Sequence, residues 1–238
     1  MSIKKHIPNA ITLLNLLAGL LALIHAFNGN YNEAFSLVCL GIFFDFWDGF
    51  FARIWKVQSP IGLQLDSLAD VVSFGVAPAC IVYQFLRLAL ANDVNALSTN
   101  SWLFAPAFII PMAGAYRLAR FNLDQNQSTY FKGVPIPMIG ILTAVFPLIY
   151  WQPSYGIISK LLLSPLFWYG YIIVVSYLMV MTRPMLALKS LAGKKKLFIP
   201  LGIVLLEIVV SAIFFKWYAI PFGFIGYCIV SLMYPKTI

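Results

Sequence analysis

The chain has 238 residues, of which 61% are hydrophobic and only 10% charged, and its formal net charge is +8. A water-soluble domain of this length has no interior large enough to hide that much apolar surface, so the composition excludes a soluble globular protein. What remains is a polytopic membrane protein, and a spanning chain without β-barrel alternation must be an all-α bundle.

Apolar windows predict about eight transmembrane helices, near residues 10–27, 34–56, 64–91, 102–121, 135–151, 165–182, 197–214 and 217–234. Lys4 and Lys5 precede the first window as in a signal sequence, but no small-residue cleavage site follows, so a retained first span is expected. Pro8 suits the first turn of the first helix, and Pro135 with Pro137 suits the start of the fifth. Pro78, inside the third window, predicts a kink. The last two windows are nearly contiguous, which fits a tight hairpin or one broken helix. No linker or low-complexity tract divides the chain, so residues 1–238 read as a single integral membrane domain. Its catalytic core is expected at about 7–182, followed by a basic loop and additional C-terminal spans over 183–238. Cys39, Cys80 and Cys228 are odd in number and widely spaced within apolar stretches, and they read as small packing residues.

Basic residues set the orientation. In an eight-span arrangement thirteen of them, including Lys4, Lys5, Arg53, Arg117, Arg120 and Lys194 to Lys196, fall on one side. Only Arg87, Lys160 and Lys216 fall on the other. Positive residues stay inside, so both termini are expected in the cytoplasm and the protein in the cell (inner) membrane. The surplus charge then lies against anionic membrane lipids, and no nucleic-acid module accounts for it.

Four of the eight acidic residues of the chain sit in one apolar stretch: Asp45, Asp48, Asp66 and Asp70. Each carboxylate within a bilayer costs roughly 2.5–3.5 kcal/mol on the insertion scale, so four together require a compensating partner. Asp45 and Asp48 are three residues apart on one helix, and Asp66 and Asp70 are four apart on the next. The midpoint of Asp45 and Asp70 is 57.5 and that of Asp48 and Asp66 is 57, so one hairpin turn near Val57 and Gln58 brings both pairs to matching depths. At 1.5 Å per residue the acids lie about 10–20 Å from that turn, between helices but near the cytoplasmic side. Such an oxygen cage suits Mg²⁺ or Mn²⁺, and metal-bound carboxylates handle phosphates. Gly49, Ala52 and Gly62 interleave with the acids. Small residues of this kind pack membrane helices together or let a ligand approach the backbone, and among four acids the ligand is favoured. Arg53 reads either as a phosphate grip or as an interfacial arginine.

The string D-x2-D-G-x2-A-R-x8-G-x3-D-x3-D, eight fixed positions from Asp45 to Asp70, resembles the signature of the CDP-alcohol phosphatidyltransferases. These membrane enzymes move a phosphoalcohol from a CDP carrier. The resemblance implies two divalent cations held by Asp45, Asp48, Asp66 and Asp70, with Asp70 also taking the proton of the attacking hydroxyl. It implies that Gly49, Ala52 and Gly62 leave room for the cytidine part. Asn9 and Thr12, near the start of the first helix, are expected to donate to phosphate, unless they serve as helix caps. Arg53 completes the expected CDP-lipid set.

Three flanking segments narrow the resemblance to the serine-using bacterial and archaeal members. They are Ile7-Pro8-Asn9 through Asn15, Tyr116-Arg117-Leu118-Ala119-Arg120-Phe121-Asn122, and Phe131-Lys132-Gly133-Val134-Pro135-Ile136-Pro137. The substrates implied are CDP-diacylglycerol and L-serine, and a homodimer is the expected assembly. Arg117, Arg120, Asn122 and Lys132 are candidates for binding the zwitterionic acceptor, against the simpler role of cytoplasmic flanking charge. Glycerol-3-phosphate, an inositol phosphate or an aminoalcohol are alternative acceptors, and a cation transporter is the alternative class. Repeated halves and discontinuous helices, common in transporters, are not visible. Glu207, the other acid inside an apolar window, carries no assigned role.

Overall fold

The computed structural model describes residues 6–91, 101–123, 131–152, 156–185 and 198–233. Lys4, Lys5 and Lys194 to Lys196 lie outside the described residues. Helices α1 (Ile7–Phe27) and α2 (Tyr31–Ile54) form an antiparallel pair. Pro8 sits in the first turn of α1, where its missing N–H costs nothing. At the far end Gly29 takes φ 76°, the Asn30 N–H bonds to His25 O at 2.9 Å, and the Gly29 N–H bonds to Ala26 O at 3.3 Å. That reversal needs a left-handed residue, and glycine adopts it without strain. Small residues then let the two backbones approach: Ala18, Ala22 and Ala26 are buried with Ala34 and Val38.

The second reversal falls where the paired acids require it. The Val57 N–H bonds to Ala52 O at 3.0 Å and Lys56 takes φ 55°, closing α2. Ser59 then caps the next helix, its Oγ accepting the Gly62 N–H at 3.1 Å, with Pro60 as first helical residue. A continuous helical stretch runs from Pro60 to Leu90, as α3 (Pro60–Asp70), a wide turn (Val71–Val76) and α4 (Ala77–Leu90). In the wide turn the Ala77 N–H reaches Val72 O, five residues back. The widening lies just before Pro78, where a kink is expected, and accommodates a residue that cannot donate, while the stretch from Pro60 to Leu90 runs on as one helical span.

Two short 3₁₀ turns over Ser101–Leu103 and Ala105–Phe108 lead into α5 (Ile109–Leu123). The fourth apolar window thus becomes regular helix later than its pattern suggests. Phe131–Lys132 (β1) pairs antiparallel with Pro184–Met185 (β2), in the register Phe131 to Met185 and Lys132 to Pro184. Helices α6 (Ile136–Tyr150), α7 (Gly156–Leu162), α8 (Pro165–Val180), α9 (Phe198–Phe215) and α10 (Ala219–Met233) complete the described elements. Helices α7 and α8 meet at 72°, and the Trp168 Nε1–H donates to Leu162 O at 2.8 Å across the bend.

The fold is a membrane helix bundle. Four helical stretches are long and apolar enough to cross a bilayer (Ile7–Phe27, Tyr31–Ile54, Pro60–Leu90 and Lys216–Met233), and the bent α7–α8 pair makes up to five. Each of the eight apolar windows contains a helix, but several of those helices are shorter than a full crossing. The stretch from Pro60 to Leu90 is the most enclosed, with Phe74, Ile81, Phe85 and Leu86 in the core beside Ile110, Ile139 and Trp168. Gly140 lies against the Phe74 backbone and Gly75 against Pro111, so close approach again depends on absent side chains. Large apolar residues face outward instead, such as Leu13, Leu17, Phe43 and Phe46, as they do where lipid is the solvent. Cys39, Cys80 and Cys228 are free thiols, Cys80 within the core.

Candidate active site

The hairpin from α2 into α3 juxtaposes the acids. A carboxylate oxygen from each of Asp45, Asp48 and Asp66 lies within 4.8 Å of the other two. Asp70, one turn beyond Asp66, stands outside that trio and is buried, with its Oδ1 accepting from Asn15 Nδ2 at 3.3 Å. Asp48 is also buried, and its Oδ2 lies 2.5 Å from the hydroxyl of Thr12. That hydroxyl also lies 3.0 Å from Pro8 O. It has a single proton to give, and the shorter contact to a charged acceptor is the stronger.

The donor chemistry fits hard divalent cations. The three converging groups are all carboxylates, and Asp66 Oδ1 is buried without a hydrogen-bond partner. Carboxylates this close repel unless a proton or a cation lies between them, and Mg²⁺ and Mn²⁺ prefer such oxygen sets.

Asn9, Thr12, Gly49, Ala52, Arg53 and Gly62, the six residues expected to bind the CDP-lipid, line one cavity of about 530 Å³ together with Asp48 and Asp66. That volume lies within the range of small-molecule sites. A Cβ on Gly62 would lie 3.0 Å from Asn9 Oδ1 and 3.1 Å from Ser59 Oγ, so a side chain there would crowd polar groups on the wall. A Cβ on Gly49 would lie 3.6 Å from an Arg53 guanidinium nitrogen, so Arg53 folds back over the glycine at the rim.

The four expected acceptor residues divide. Arg117, on α5, is buried, and its Nε has no hydrogen-bond partner. Asn122 donates from Nδ2 to Ser67 Oγ at 2.9 Å, which ties the end of α5 to α3 between Asp66 and Asp70. Arg120 is engaged elsewhere: it donates to Val180 O at 2.7 Å and Met181 O at 3.2 Å, satisfying carbonyls at the C-terminal end of α8. Lys132 lies in the β1–β2 pairing, beside Gly133, whose φ of 75° and contact with Met179 O leave no room for a side chain.

Asn15, Ser67 and Ser73 were not singled out by the sequence reading. Asn15 had a visible signal, since Asn9, Thr12 and Asn15 recur every three residues on one face of an apolar helix. Ser67 and Ser73 carried none, because serine is common in membrane helices. Glu207 lies away from the acids, its carboxylate pressed against Gly226 between α9 and α10.

A bundle of apolar helices around a cavity lined in part by Asp48 and Asp66, with Asp45 beside them, is a membrane-embedded site of a kind suited to phosphoryl transfer. Comparison with known proteins gives it a family: the family model for CDP-alcohol phosphatidyltransferase matches residues 5–166, and the chain belongs to that family. Among similar proteins is CDP-diacylglycerol–serine O-phosphatidyltransferase of Bacillus subtilis (strain 168), 34% identical over 145 residues, which are 61% of this chain and 77% of the relative. The protein of that name from Helicobacter pylori (strain J99) is 32% identical over 196 residues, 81% of this chain and 76% of the relative. The one from Methanocaldococcus jannaschii is 39% identical over 140 residues, 59% of each chain. Family membership sets aside the transporter alternative.

Proposed function

We propose that the chain transfers the phosphatidyl group of CDP-diacylglycerol to the hydroxyl of L-serine, giving phosphatidylserine and CMP. The observation that carries this reading is the convergence of Asp45, Asp48 and Asp66, two of which, Asp48 and Asp66, line the same cavity as Asn9, Gly49, Ala52 and Gly62. The names of the relatives supply the acceptor.

Asp45, Asp48, Asp66 and Asp70 would hold two divalent cations, Mg²⁺ or Mn²⁺, which when bound supply charge neutralisation and polarisation of the phosphoryl oxygens. The protein's own groups do the rest. Thr12 fixes one oxygen of Asp48, keeping that carboxylate turned inward. Gly49, Ala52 and Gly62 admit the cytidine, and Arg53 at the rim meets the pyrophosphate charge. Arg117, Asn122 and Lys132 bind the carboxylate and ammonium of serine, while Arg120 acts by fixing the end of α8. As the serine oxygen bonds to the phosphorus beside diacylglycerol, its proton passes to Asp70 and the bond to CMP breaks, with the electron pair leaving on CMP.

The reading includes eight crossings, with the site near the cytoplasmic side and both termini in the cytoplasm of a cell-membrane protein. Cysteines placed at exposed Lys56 and Asn28 test it: Lys56 should be labelled only from inside and Asn28 only from outside.

The direct test of function is incubation of the purified protein with CDP-diacylglycerol, divalent metal and separate acceptors, with lipid products read by mass spectrometry. Phosphatidylserine and CMP in equal amounts are expected. Product from glycerol-3-phosphate and none from serine would overturn the acceptor and leave the family standing.

A further inference from the structure

Helix α1 carries a ladder of polar side chains at Asn9, Thr12 and Asn15, and its steps do different work. Asn9 and Thr12 line the cavity, whereas Asn15 lies a turn deeper and has no exposed surface. Its surroundings hold it from several directions. Nδ2 donates to Asp70 Oδ1 at 3.3 Å. Its backbone carbonyl accepts the Ser73 hydroxyl at 2.9 Å, and Ser73 belongs to the wide turn that begins directly after Asp70. A Cβ on Gly41 would come 3.0 Å from Asn15 Oδ1, and one on Gly19 would collide with Ser73. Two glycines therefore make the space in which α1 meets the Asp70 segment.

The chemistry of the position is costly. Asn15 Oδ1 is buried with no hydrogen-bond partner, a penalty that a leucine of similar size would avoid. What leucine cannot supply is the Nδ2 donor. That donor reaches one oxygen of one carboxylate, the acid that stands outside the metal-type trio.

We propose that Asn15 is a positioning residue for the transfer: its amide pins Oδ1 of Asp70 and fixes the rotation of the carboxylate, and with it the direction in which the other oxygen meets the acceptor's proton. This rests on the reading of Asp70 as the base. The serine O–H bond breaks as the O–P bond forms, the proton goes to Asp70 Oδ2, and after CMP departs Asp70 returns that proton to water. Asn15 takes no part in covalent change. It removes the rotational freedom that would otherwise let Asp70 turn away.

The experiment uses the full-length protein in lipid nanodiscs with Asn15→Leu, Asn15→Ala, Asp70→Asn and the double variant Asn15→Leu/Asp70→Asn. Three quantities are read: single-turnover rate with L-serine, affinity for CDP-diacylglycerol, and Mn²⁺ affinity by electron paramagnetic resonance. Asn15→Leu and Asn15→Ala should each lower the rate by about 10–100-fold, the usual size of an outer-shell loss, with both affinities within about twofold of the parent. In the double variant, Asn15→Leu should add nothing to the loss from Asp70→Asn, because the amide acts through that carboxylate. A parent-like rate in Asn15→Leu with a slow Asn15→Ala would make the residue a packing element and overturn the proposal. A parallel loss of Mn²⁺ affinity would assign Asn15 to the metal cluster and overturn it as well. Full losses that multiply in the double variant would defeat the coupling, with the base reading intact. A parent-like rate in Asp70→Asn alone would instead remove the base, and this proposal with it.

Discussion

Two cavities of nearly equal size lie at opposite ends of the α1–α2 pair, at about 530 and 500 Å³. The first is lined by Asn9, Thr12, Asp48 and Asp66, and the second by Asn30, Glu33, Gln152, Lys216 and Trp217. The second is the more polar in its lining, and volume does not distinguish them. The position of the charges does. Glu33 and Lys216 are exposed and can be solvated where they stand, while Asp48 and Asp70 are buried and Asp45 and Asp66 partly so. Charge that water can reach costs little and implies little. Carboxylates gathered among apolar helices and largely shielded from water call for compensation, which a bound cation would supply.

The sharpest way to break this contrast is to remove its cause. Exhaustive chelation should abolish turnover, and Asp45→Asn, Asp48→Asn and Asp66→Asn should each lower it by about 10³-fold or more while the protein still inserts. Full activity after chelation, measured as CMP release, would mean that the carboxylates are not a metal site. Next in size is Asp70→Asn, expected to cost about 10²–10⁴-fold in turnover with much smaller loss of CDP-diacylglycerol binding. Binding and turnover falling together would make Asp70 chiefly a ligand. Thr12→Val keeps the shape but loses the bond to Asp48, and a loss of about 10-fold is expected from steady-state kinetics. Gly62→Ala should raise the KM for CDP-diacylglycerol several-fold with kcat little changed, because the added methyl crowds Asn9 and Ser59 on the cavity wall. The smallest effect belongs to the second cavity. Glu33→Gln and Lys216→Gln should leave turnover within about twofold, and a larger loss in either would show that burial is not what separates the two ends.

Much of the first cavity was legible because its determinants are local. Residue spacing places the acids on helix faces, and equal midpoints require a turn near residue 57; the observed reversal spans Trp55 to Ser59. The six expected CDP-lipid residues share one cavity for the same reason, since five of them lie on the two helices of that hairpin or the first turn of α1. What could not be read is which helix end meets which. Arg120 looks like any cytoplasmic arginine until α8 is seen to end beside it, with two carbonyls in need of donors. Nor could the breaks in the helices be read, because windows of hydropathy register composition, not the 72° bend between α7 and α8 or the 3₁₀ turns before α5. Asn15 was legible in rhythm but not in consequence, because its meaning depends on Asp70, 55 positions away.

The wide turn at Val71–Val76 has a consequence for how the chain tolerates change. A turn closed by five-residue bonds holds one residue more than an α-turn, and one residue of α-helix corresponds to about 100° of rotation. Loss of a single residue from this stretch, whatever its identity, would let the helix run on regularly. Asp66 and Asp70 would then keep nearly their bearing toward the core anchored by Phe85 and Leu86, because the residue removed is the extra one that the wide turn absorbs. The regular helix that follows has no such slack: one residue removed between Ala77 and Phe85 would turn the acids by about 100° relative to that core, so the same deletion is tolerated in one segment and disruptive in the next.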